Sequence, residues 1–168
     1  MNDNVEIERK YIIKMPNIAA MQAECDYCYS DITQIYLMSS PRITHRIRSR
    51  KYSDKTVYTE TKKVRIDKIS SYEDEREISV DEFERLRLAR DPESREIRKT
   101  RHVFSYNDQI FEIDVYPEWT YTAIMETELP TRDTDVELPQ FIEIVREVSG
   151  NKSYSNASMS RHFPEEDK

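Results

Sequence analysis

Charged side chains recur at every second position in several short segments of this chain, and the segments differ in the sign of their charge. The acidic blocks are Glu6/Glu8, Glu73/Glu75/Glu77, Glu112/Asp114 and Glu126/Glu128, and the basic residues are Lys10, Arg46/Arg48/Arg50, Lys62 and Lys99/Arg101. Guanidinium and ammonium groups bind phosphate, and carboxylates hold Mg²⁺ together with substrate phosphates. If these blocks share one cavity, they predict a site for a polyanion and a divalent cation.

The same charges are also typical of strands whose outer faces meet water. Surfaces are where charged residues usually lie, so each strand taken alone favours a solvated face. Glu73, Glu75 and Glu77 would also suit an edge strand that avoids pairing with another chain. A solvated face does not explain why most of these strands carry charges of only one sign on that face. The charges alone therefore leave both interpretations open.

The first strand, Val5 to Ile13, shows how such elements would place the charges. Successive side chains of a strand point to opposite faces, so Glu6, Glu8 and Lys10 share one face. The opposite face is apolar except for Arg9. If the charged faces of this and later strands point inward, the lumen is a charged tunnel and the sheet has no free edges.

Eight segments have the alternation of strands and three have helical spacing. The predicted strands are residues 5–13, 31–38, 43–51, 56–63, 72–78, 97–105, 110–116 and 121–129. The predicted helices are 18–25, one opened by a capping box from Ser79 to Glu82, and 139–148, ended by Gly150. Without a βαβ rhythm, the strands predict an antiparallel sheet in a single domain, 1–168. The connector 65–71 is predicted to be mobile, and the tail to hold one helical turn after Tyr154 and to fray from His162 to Lys168.

Composition narrows the classes of partner. With 168 residues and a net charge of −7, the chain is long enough for a sizeable core and has no global attraction to nucleic acid or an anionic membrane. No apolar stretch approaches the roughly 20 residues of a membrane span, and the N-terminus lacks a secretory pattern. We therefore expect a cytoplasmic protein without a nucleic-acid or membrane partner.

Two residue types exclude common kinds of site. Gly150 is the only glycine, which excludes the glycine-rich phosphate loop and the dinucleotide fingerprint. Cys25 and Cys28 form an isolated C-x-x-C without a second pair or a nearby histidine, and are expected to be ordinary reduced thiols. A phosphate site in this chain must therefore be built from side chains.

The order of the charged motifs resembles that of the CYTH, or triphosphate tunnel metalloenzyme, superfamily, in the form of its small bacterial members. Glu6-Ile7-Glu8-Arg9-Lys10 resembles the E-x-E-x-K signature of that family. The matching motifs that follow in family order are Gln34-Ile35-Tyr36-Leu37, Arg46-Ile47-Arg48, Lys62, Glu73 to Glu77, Lys99-Thr100-Arg101, Glu112-Ile113-Asp114, Glu126-Thr127-Glu128, Glu137-Leu138-Pro139 and Tyr154-Ser155-Asn156. The resemblance spans nearly the whole chain, and its specificity lies in the series.

The resemblance implies a mostly β α+β fold, an eight-stranded antiparallel closed tunnel or barrel with flanking helices. Its lumen would bind a triphosphate and one or two divalent metals, Mg²⁺ or Mn²⁺. By this resemblance the metal residues are Glu6, Glu8, Glu75, Glu77, Glu126 and Glu128, and the phosphate-binding residues are Lys10, Arg46, Arg48, Lys62, Lys99 and Arg101. Lys10, Lys62 and Asp114 are expected to take part in catalysis, Asp114 by orienting a basic partner or a water on the metal. The chain departs from the family in lacking glycines near Gln34 and after Lys62, and the pair Lys62-Lys63 leaves open which lysine faces the lumen.

The resemblance implies metal-dependent hydrolysis of inorganic triphosphate or a related linear triphosphate. A class IV adenylate cyclase, which converts ATP to cyclic AMP and pyrophosphate, has the same fold and is the first alternative. Thiamine triphosphatase, a triphosphate-binding module without activity, and a structural protein also stay open. A triphosphate-containing small molecule is the expected partner, and the chain could form a homodimer.

Overall fold

Antiparallel strands build one sheet that curls back on itself. The structure is a computed structural model that describes residues 5–23 and 26–167. Within them the strands are β1 (Val5–Lys14), β2 (Cys28–Tyr36), β3 (Thr44–Lys51), β4 (Thr56–Arg65), β5 (Ser70–Ile78), β6 (Ile97–Tyr106), β7 (Gln109–Val115), β8 (Thr122–Glu128) and β9 (Ile144–Glu147). The helices are α1 (Ile18–Ala23), α2 (Val80–Arg87) and α3 (Asn156–Met159), with a 3₁₀ turn at Lys152–Tyr154 before α3.

Strands β1 to β8 close into an eight-stranded barrel. Their order is β5-β4-β3-β2-β6-β7-β8-β1, and β1 pairs with β5 through Val5↔Tyr72 and Ile7↔Ser70. All these pairings are antiparallel, and most join strands that follow one another in the chain. Closure pairs the edges that an open sheet would leave exposed. The predicted closed antiparallel barrel is confirmed.

The ninth strand replaces a predicted helix. Residues 139–148 have apolar side chains at helical spacing, but residues 144–147 form β9 and pair with Tyr11 to Ile13 of β1. β5 pairs with β1 only as far as Ile7, so the second half of that edge is free to accept another strand. The β-branched Ile144 and Val145 suit this position. The helix prediction was wrong because a free strand edge outweighed a local pattern.

Side chains on the outer face of the barrel form two apolar clusters. One lies under α1 and contains Tyr11, Ile13, Phe104 and Phe111, all buried. The other lies under α2, whose Phe83 packs on the outward side chains of β2, β3 and β5. The Ser79 hydroxyl caps α2 by accepting a hydrogen bond from the Glu82 amide, as predicted. These clusters hold the wall in place so that the alternate residues face the lumen.

A third apolar cluster fills one end of the lumen, and we call it the plug. Its buried members are Ile12, Tyr36, Ile97, Tyr116, Trp119, Ile124, Val148, Tyr154 and Met159. Ile12 lies on the same face of β1 as Glu6, Glu8 and Lys10, so the inner face changes from charged to apolar along the strand. The helical turn predicted after Tyr154 is α3, which packs against this end.

The tail up to residue 167 and the connector both make specific contacts, although the sequence predicted a frayed tail and a mobile connector. The Phe163 ring centroid lies 5.4 Å from those of Tyr116 and Trp119, and the Glu166 carboxylate accepts a hydrogen bond from the Thr122 amide at 2.8 Å. Trp119 Nε1 donates to the Pro164 carbonyl at 3.2 Å. Residues 162–167 therefore pack against the barrel, because buried aromatic rings and backbone amides there need partners.

The connector between β4 and β5 is fixed by a local hydrogen-bond network. Asp67 Oδ1 accepts from the amides of Ile69 and Ser70, and Arg65 donates to the carbonyls of Asp67, Lys68 and Gly150. Gly150 has φ +75°, and a Cβ there would lie 2.9 Å from the Lys68 carbonyl oxygen. A glycine is therefore required where the C-terminal segment crosses this turn.

Two further findings concern the classes of protein considered above. Across residues 5–23 and 26–167, none of the helices has the length and apolar character needed to cross a membrane. Cys28 is exposed and its thiol is free, whereas Cys25 lies outside the described residues, so the C-x-x-C prediction is not tested.

Candidate active site

The inner faces of the eight barrel strands enclose a cavity of about 610 Å³. A cavity of this size suits a small molecule. Its charged wall residues are Glu6, Glu8, Glu73, Glu75, Glu112, Glu126, Glu128, Lys10, Arg46, Arg48, Arg50, Lys63, Lys99 and Arg101. The charged faces thus converge on an interior, and for these residues the solvated-face interpretation is wrong.

The arginines of β3 form one basic wall. Ile47 is fully buried in the outer cluster, so the alternation of the strand turns Arg46 and Arg48 into the lumen. Arg46 Nη2 lies 3.5 Å from Glu73 Oε1, and Arg48 Nη2 lies 3.1 Å from Glu75 Oε2. Both guanidinium groups are therefore held by carboxylates of β5, which lies beyond β4 in the sheet.

Lys10 lies opposite this wall and pairs with Glu126 across β1 and β8. The two residues are directly opposed in the strand register, and Lys10 Nζ lies 2.7 Å from Glu126 Oε1. Burial opposes the charge of Lys10, but attraction to Glu126 and Glu8 outweighs it and raises the pKa of this ammonium group. Lys10 therefore stays charged, as a phosphate ligand must.

Asp114 lies behind the cavity wall and does not line the cavity. Its side chain is fully buried, and it accepts from Lys99 Nζ at 2.5 Å and from Arg101 at 2.7 Å (Nε) and 2.8 Å (Nη2). Burial would raise the pKa of Asp114, but the two cations lower it well below its usual range. Asp114 therefore holds two cations of the wall and does not itself line the cavity, and its part in catalysis stays a prediction. Its predicted orienting role agrees with this geometry.

Lys99 is a buried lysine whose pKa is lowered by its surroundings. Burial and the neighbouring Arg101 guanidinium lower the pKa of Lys99 to about 8, although Asp114 attracts its ammonium group. Arg101 in contrast keeps its charge, because Asp114, Glu112 and Glu126 all attract it. The two basic residues of β6 thus differ in how their charge depends on pH.

The lysine of β4 that faces the lumen is Lys63, not Lys62. Lys63 is opposite Thr44 in β3 and Glu73 in β5, whereas the exposed Lys62 is opposite His45 and Asp74 on the outer side. The position of Lys62 therefore does not support its predicted part in phosphate binding and catalysis, and Lys63 is the lysine of the pair that faces the lumen. Directly paired residues of neighbouring strands share a face, so the register of the β3–β4 hairpin decides the matter.

The acidic strand β5 also differs from the prediction. Glu77 is exposed and does not line the cavity, so its predicted metal role is not supported by its position. Glu75 lies at the cavity but is held by Arg48 and by the Thr61 hydroxyl at 2.7 Å. Glu73 is the more enclosed carboxylate and was not in the predicted metal set.

Carboxylates crowd together on β7, β8, β1 and β5, which are consecutive strands of the barrel. Burial and repulsion from Glu73 raise the pKa of Glu6 to about 7. Burial and repulsion from Glu112, Glu73 and Glu8 raise the pKa of Glu128 as well. This part of the cavity is therefore destabilised by its own negative charge.

The donor chemistry of this crowded group fits a hard divalent cation. Mg²⁺ and Mn²⁺ take carboxylate oxygens, and a cation would relieve the repulsion that raises these pKa values. In the described part of the chain, no three His, Cys, Asp or Glu side chains are gathered closely enough to form a ready metal cage. Cation binding would therefore require side-chain movement. Glu6, Glu8, Glu128 and Glu73 are the residues that would hold it, since these carboxylates repel one another. Glu126 instead lies between Lys10 and Arg101.

Several lining residues were missed by the sequence reasoning. Gln34 and Tyr36 of β2 face the lumen and carry no charge, and Arg42, Lys68 and Lys152 reach it from loops. Gln34 could have been predicted to face the lumen, because it is paired with Arg48 across β2 and β3 and paired residues share a face of the sheet. Nothing in an alternating pattern marks the loop residues.

The histidines act outside the cavity. His45 Nε2 lies 2.7 Å from Glu60 Oε1, and His102 Nδ1 lies 2.8 Å from the Tyr27 hydroxyl, neither of them in the lumen. The chemistry of the cavity thus belongs to carboxylates, lysines and arginines.

Comparison with known proteins agrees with this architecture. No protein-family model and no curated protein matches the sequence. Among solved structures, the inorganic triphosphatase NE1496 is 27% identical over 95% of this chain and 97% of that chain, with a TM-score of 0.61. PH1819 from Pyrococcus horikoshii OT3 is 22% identical over 76% of this chain and 80% of that one, with a TM-score of 0.59.

A plant protein shares the fold at lower identity. HpAC1 from Hippeastrum, named as an adenylyl cyclase and having a dominant triphosphatase activity, is 14% identical over 74% of this chain and 80% of that chain, with a TM-score of 0.51. The closed eight-stranded barrel, its charged lumen and the 27% identity to NE1496 agree with the resemblance to the CYTH, or triphosphate tunnel metalloenzyme, superfamily that the order of the motifs predicted.

Proposed function

We propose that this protein hydrolyses inorganic triphosphate, or a related linear triphosphate, with the help of Mg²⁺ or Mn²⁺. The observation that carries the proposal is a cavity inside the barrel in which a basic wall faces a crowded group of carboxylates. A linear triphosphate needs the basic wall, and a divalent cation needs the carboxylates. The similarity to the inorganic triphosphatase NE1496 over almost the full length of both chains supports the same class of substrate.

Six cations would bind the triphosphate. They come from four strands and surround the cavity: Lys10, Arg46, Arg48, Lys63, Lys99 and Arg101. Arginine binds phosphate oxygens with two parallel donors, and lysine acts as a point charge. In the free protein these cations pair with carboxylates, so substrate phosphates would replace Glu73, Glu75 and Glu126 as partners of the basic groups.

The carboxylates Glu6, Glu8, Glu128 and Glu73 would hold the cation. A bound divalent cation neutralises charge on phosphate oxygens and helps to orient the phosphates. Proximity of the acidic group to Lys63 and Lys10 would place the cation beside the phosphate-binding cations.

Preorganisation is the main catalytic contribution of the chain itself. Phosphoryl transfer asks little covalent chemistry of a protein, and fixed positive charges stabilise the negative charge that develops on the transferred group. Asp114 holds Lys99 and Arg101 rigidly at the wall, so these two cations need no reorientation during reaction. Closure of the lumen by the plug limits the entry of bulk water.

The proposal is tested by a substrate panel on the purified protein. Tripolyphosphate, ATP and thiamine triphosphate are each incubated with Mg²⁺ or Mn²⁺, and both orthophosphate and cyclic AMP are measured. We expect orthophosphate release that is fastest with tripolyphosphate and lost on chelation of the metal. Cyclic AMP from ATP without tripolyphosphate hydrolysis would instead assign the adenylate cyclase reaction, and tight tripolyphosphate binding without turnover would assign a binding module. Cytoplasmic residence and homodimer formation stay predictions from the sequence.

A further inference from the structure

Gln34 presents an unpartnered polar atom to the cavity. The side chain lines the lumen and is fully buried, with 0% of its surface exposed. Its Nε2 donates to the Tyr36 hydroxyl at 2.6 Å, whereas its Oε1 has no hydrogen-bond partner among the described residues. Buried polar atoms are nearly always hydrogen-bonded. A molecule that enters the cavity could therefore supply a partner for Oε1, as it could for Arg46 Nε, which also has none among the described residues.

The position of Gln34 limits what that partner can be. In the sheet register Gln34 is opposite Arg48 on one side and Ile97 of the plug on the other, so it marks the boundary between the basic wall and the apolar end of the lumen. A carbonyl oxygen only accepts hydrogen bonds, and ionised phosphate oxygens only accept as well. This neutral acceptor therefore suits a hydrogen-bond donor, such as the O–H group of a bound molecule, and repels phosphate oxygens.

We propose that Gln34 Oε1 accepts a hydrogen bond from the water molecule that attacks the terminal phosphorus of the triphosphate. This inference rests on the proposed hydrolysis. Attack in line places the water opposite the leaving bridging oxygen, so the terminal phosphate lies nearest the plug and the pyrophosphate portion lies farther along the lumen. The water oxygen bonds to phosphorus as the bond to the bridging oxygen breaks. Pyrophosphate leaves with that electron pair and the water protons go to the products, so the amide orients the water and takes no proton.

Tyr36 restricts the rotation of the Gln34 side-chain amide. The Tyr36 hydroxyl holds the amide nitrogen, and Tyr36 itself is buried in the plug. A fixed acceptor lowers the entropy that the water must lose on reaching its attacking position. Tyr36 thus acts through Gln34 as a positioning residue.

The same acceptor chemistry would serve a sugar hydroxyl, as an adenylate cyclase requires. Gln34 lies beside the buried side chains of Tyr36 and Ile97, which belong to the apolar plug and offer no charged group to a sugar. The two sources of the O–H group are separated by experiment.

The test is Gln34→Met, which keeps the length of the side chain and removes the amide. Steady-state hydrolysis of tripolyphosphate with saturating Mg²⁺ is expected to show kcat reduced about 10- to 100-fold with KM within about twofold, since the lost contact is made to the nucleophile and not to the bound phosphates. Tyr36→Phe is expected to lower kcat in the same way but less, because it frees the amide without removing it. This second variant also serves if Gln34→Met does not fold.

Three results would overturn the inference. The first is an unchanged kcat in either folded variant. The second is a raised KM at unchanged kcat in Gln34→Met, which would make the amide a ligand of the phosphates. The third is a Gln34→Met protein that no longer forms cyclic AMP from ATP but still hydrolyses tripolyphosphate, which would make the nucleophile a sugar hydroxyl. A wild-type protein that releases no orthophosphate would instead refute the proposed function. An active wild type with an equally active Gln34→Met refutes only the role of Gln34.

Discussion

Lys63 and Glu73 are paired across β4 and β5, with Lys63 Nζ 2.8 Å from Glu73 Oε1, at the seam where the barrel closes. The same ammonium group lies 3.5 Å from Glu6 Oε2 on β1. Lys63 is thus placed between the carboxylates that would hold a cation and the basic wall that would hold phosphates.

The first prediction compares two adjacent lysines. Lys63→Met should reduce kcat/KM for tripolyphosphate about 10²- to 10³-fold, because one preorganised cation is lost from an enclosed site. Lys62→Met is the matched control, since Lys62 is exposed on the outer face, and it should stay within about twofold of wild type. Steady-state orthophosphate release measures both. Equal losses in the two variants would contradict the assigned register.

A second prediction concerns the buried pair of Lys10 and Glu126. Lys10→Met should raise KM for tripolyphosphate and lower kcat/KM by about 10²-fold or more, since the ammonium group binds phosphate. Glu126→Gln leaves Lys10 charged and should weaken binding far less, because substrate phosphate replaces this carboxylate as the partner of Lys10. Isothermal titration with a non-hydrolysable triphosphate analogue measures the affinity of each variant. A larger loss of affinity in Glu126→Gln than in Lys10→Met would contradict this prediction.

Metal dependence provides a third prediction. Glu128→Gln should raise the Mg²⁺ concentration for half-maximal activity about tenfold or more, because a carboxylate ligand is lost from the crowded group. Glu77→Gln is the control, since Glu77 is exposed and lies away from the cavity. Activity is titrated with Mg²⁺ at saturating tripolyphosphate. A shift in Glu77→Gln with none in Glu128→Gln would place the cation elsewhere.

Asp114 is predicted to matter for stability as much as for activity. Asp114→Asn leaves Lys99 and Arg101 buried without their shared counter-charge, and should lower the free energy of unfolding by about 3–5 kcal/mol. Glu112→Gln, at the partly exposed end of the same network, should cost much less. Urea denaturation followed by circular dichroism measures both. A stable Asp114→Asn protein would show that the two cations do not depend on this carboxylate.

Lys99 gives a prediction for pH. Its pKa is lowered to about 8, so it loses its positive charge as the pH rises above about 8, well before an ordinary lysine would. The kcat/KM for tripolyphosphate should therefore fall above about pH 8. Lys99→Arg should move this fall upward by about one pH unit or more, because a guanidinium group stays charged.

Lys63→Arg is the control for that profile. The pKa of Lys63 is raised, since attraction to Glu73 and Glu8 outweighs burial, so this exchange should leave the fall in place. An unmoved profile in Lys99→Arg would mean that another group causes the loss of activity.

The alternation of charge left both a solvated face and a tunnel open, and the order of the motifs, through its resemblance to a known family, predicted the barrel and most of its lining. Glu6, Glu8 and Lys10 reach the lumen because an apolar outer face of β1 fixes the orientation of the strand. The same reasoning failed for β4, because Lys62 and Lys63 both lie in a polar stretch. Which of the two faces the lumen depends on the register of the β3–β4 hairpin. Tyr52 and Lys55 close that turn through a backbone hydrogen bond of 2.8 Å, which sets Lys51 opposite Thr56 and therefore Lys63 opposite Thr44.

Other errors arose from long-range contacts. The apolar spacing of residues 139–148 is helical, but pairing with β1 depends on an edge that β5 leaves free more than 60 residues earlier in the chain. Asp114 has the parity of a lumen acid, yet Lys99 and Arg101 close over it, which no single strand reveals. Gln34 carries no charge and so was not counted among the site residues.

The most direct measurement is a crystal structure of the protein with a non-hydrolysable triphosphate analogue and Mg²⁺. The account predicts density for the phosphates inside the barrel, in contact with Lys10, Arg46 and Lys63, and for the cation beside Glu6 and Glu128. Phosphates bound on the outer surface, or a lumen that admits neither phosphate nor cation, would contradict it.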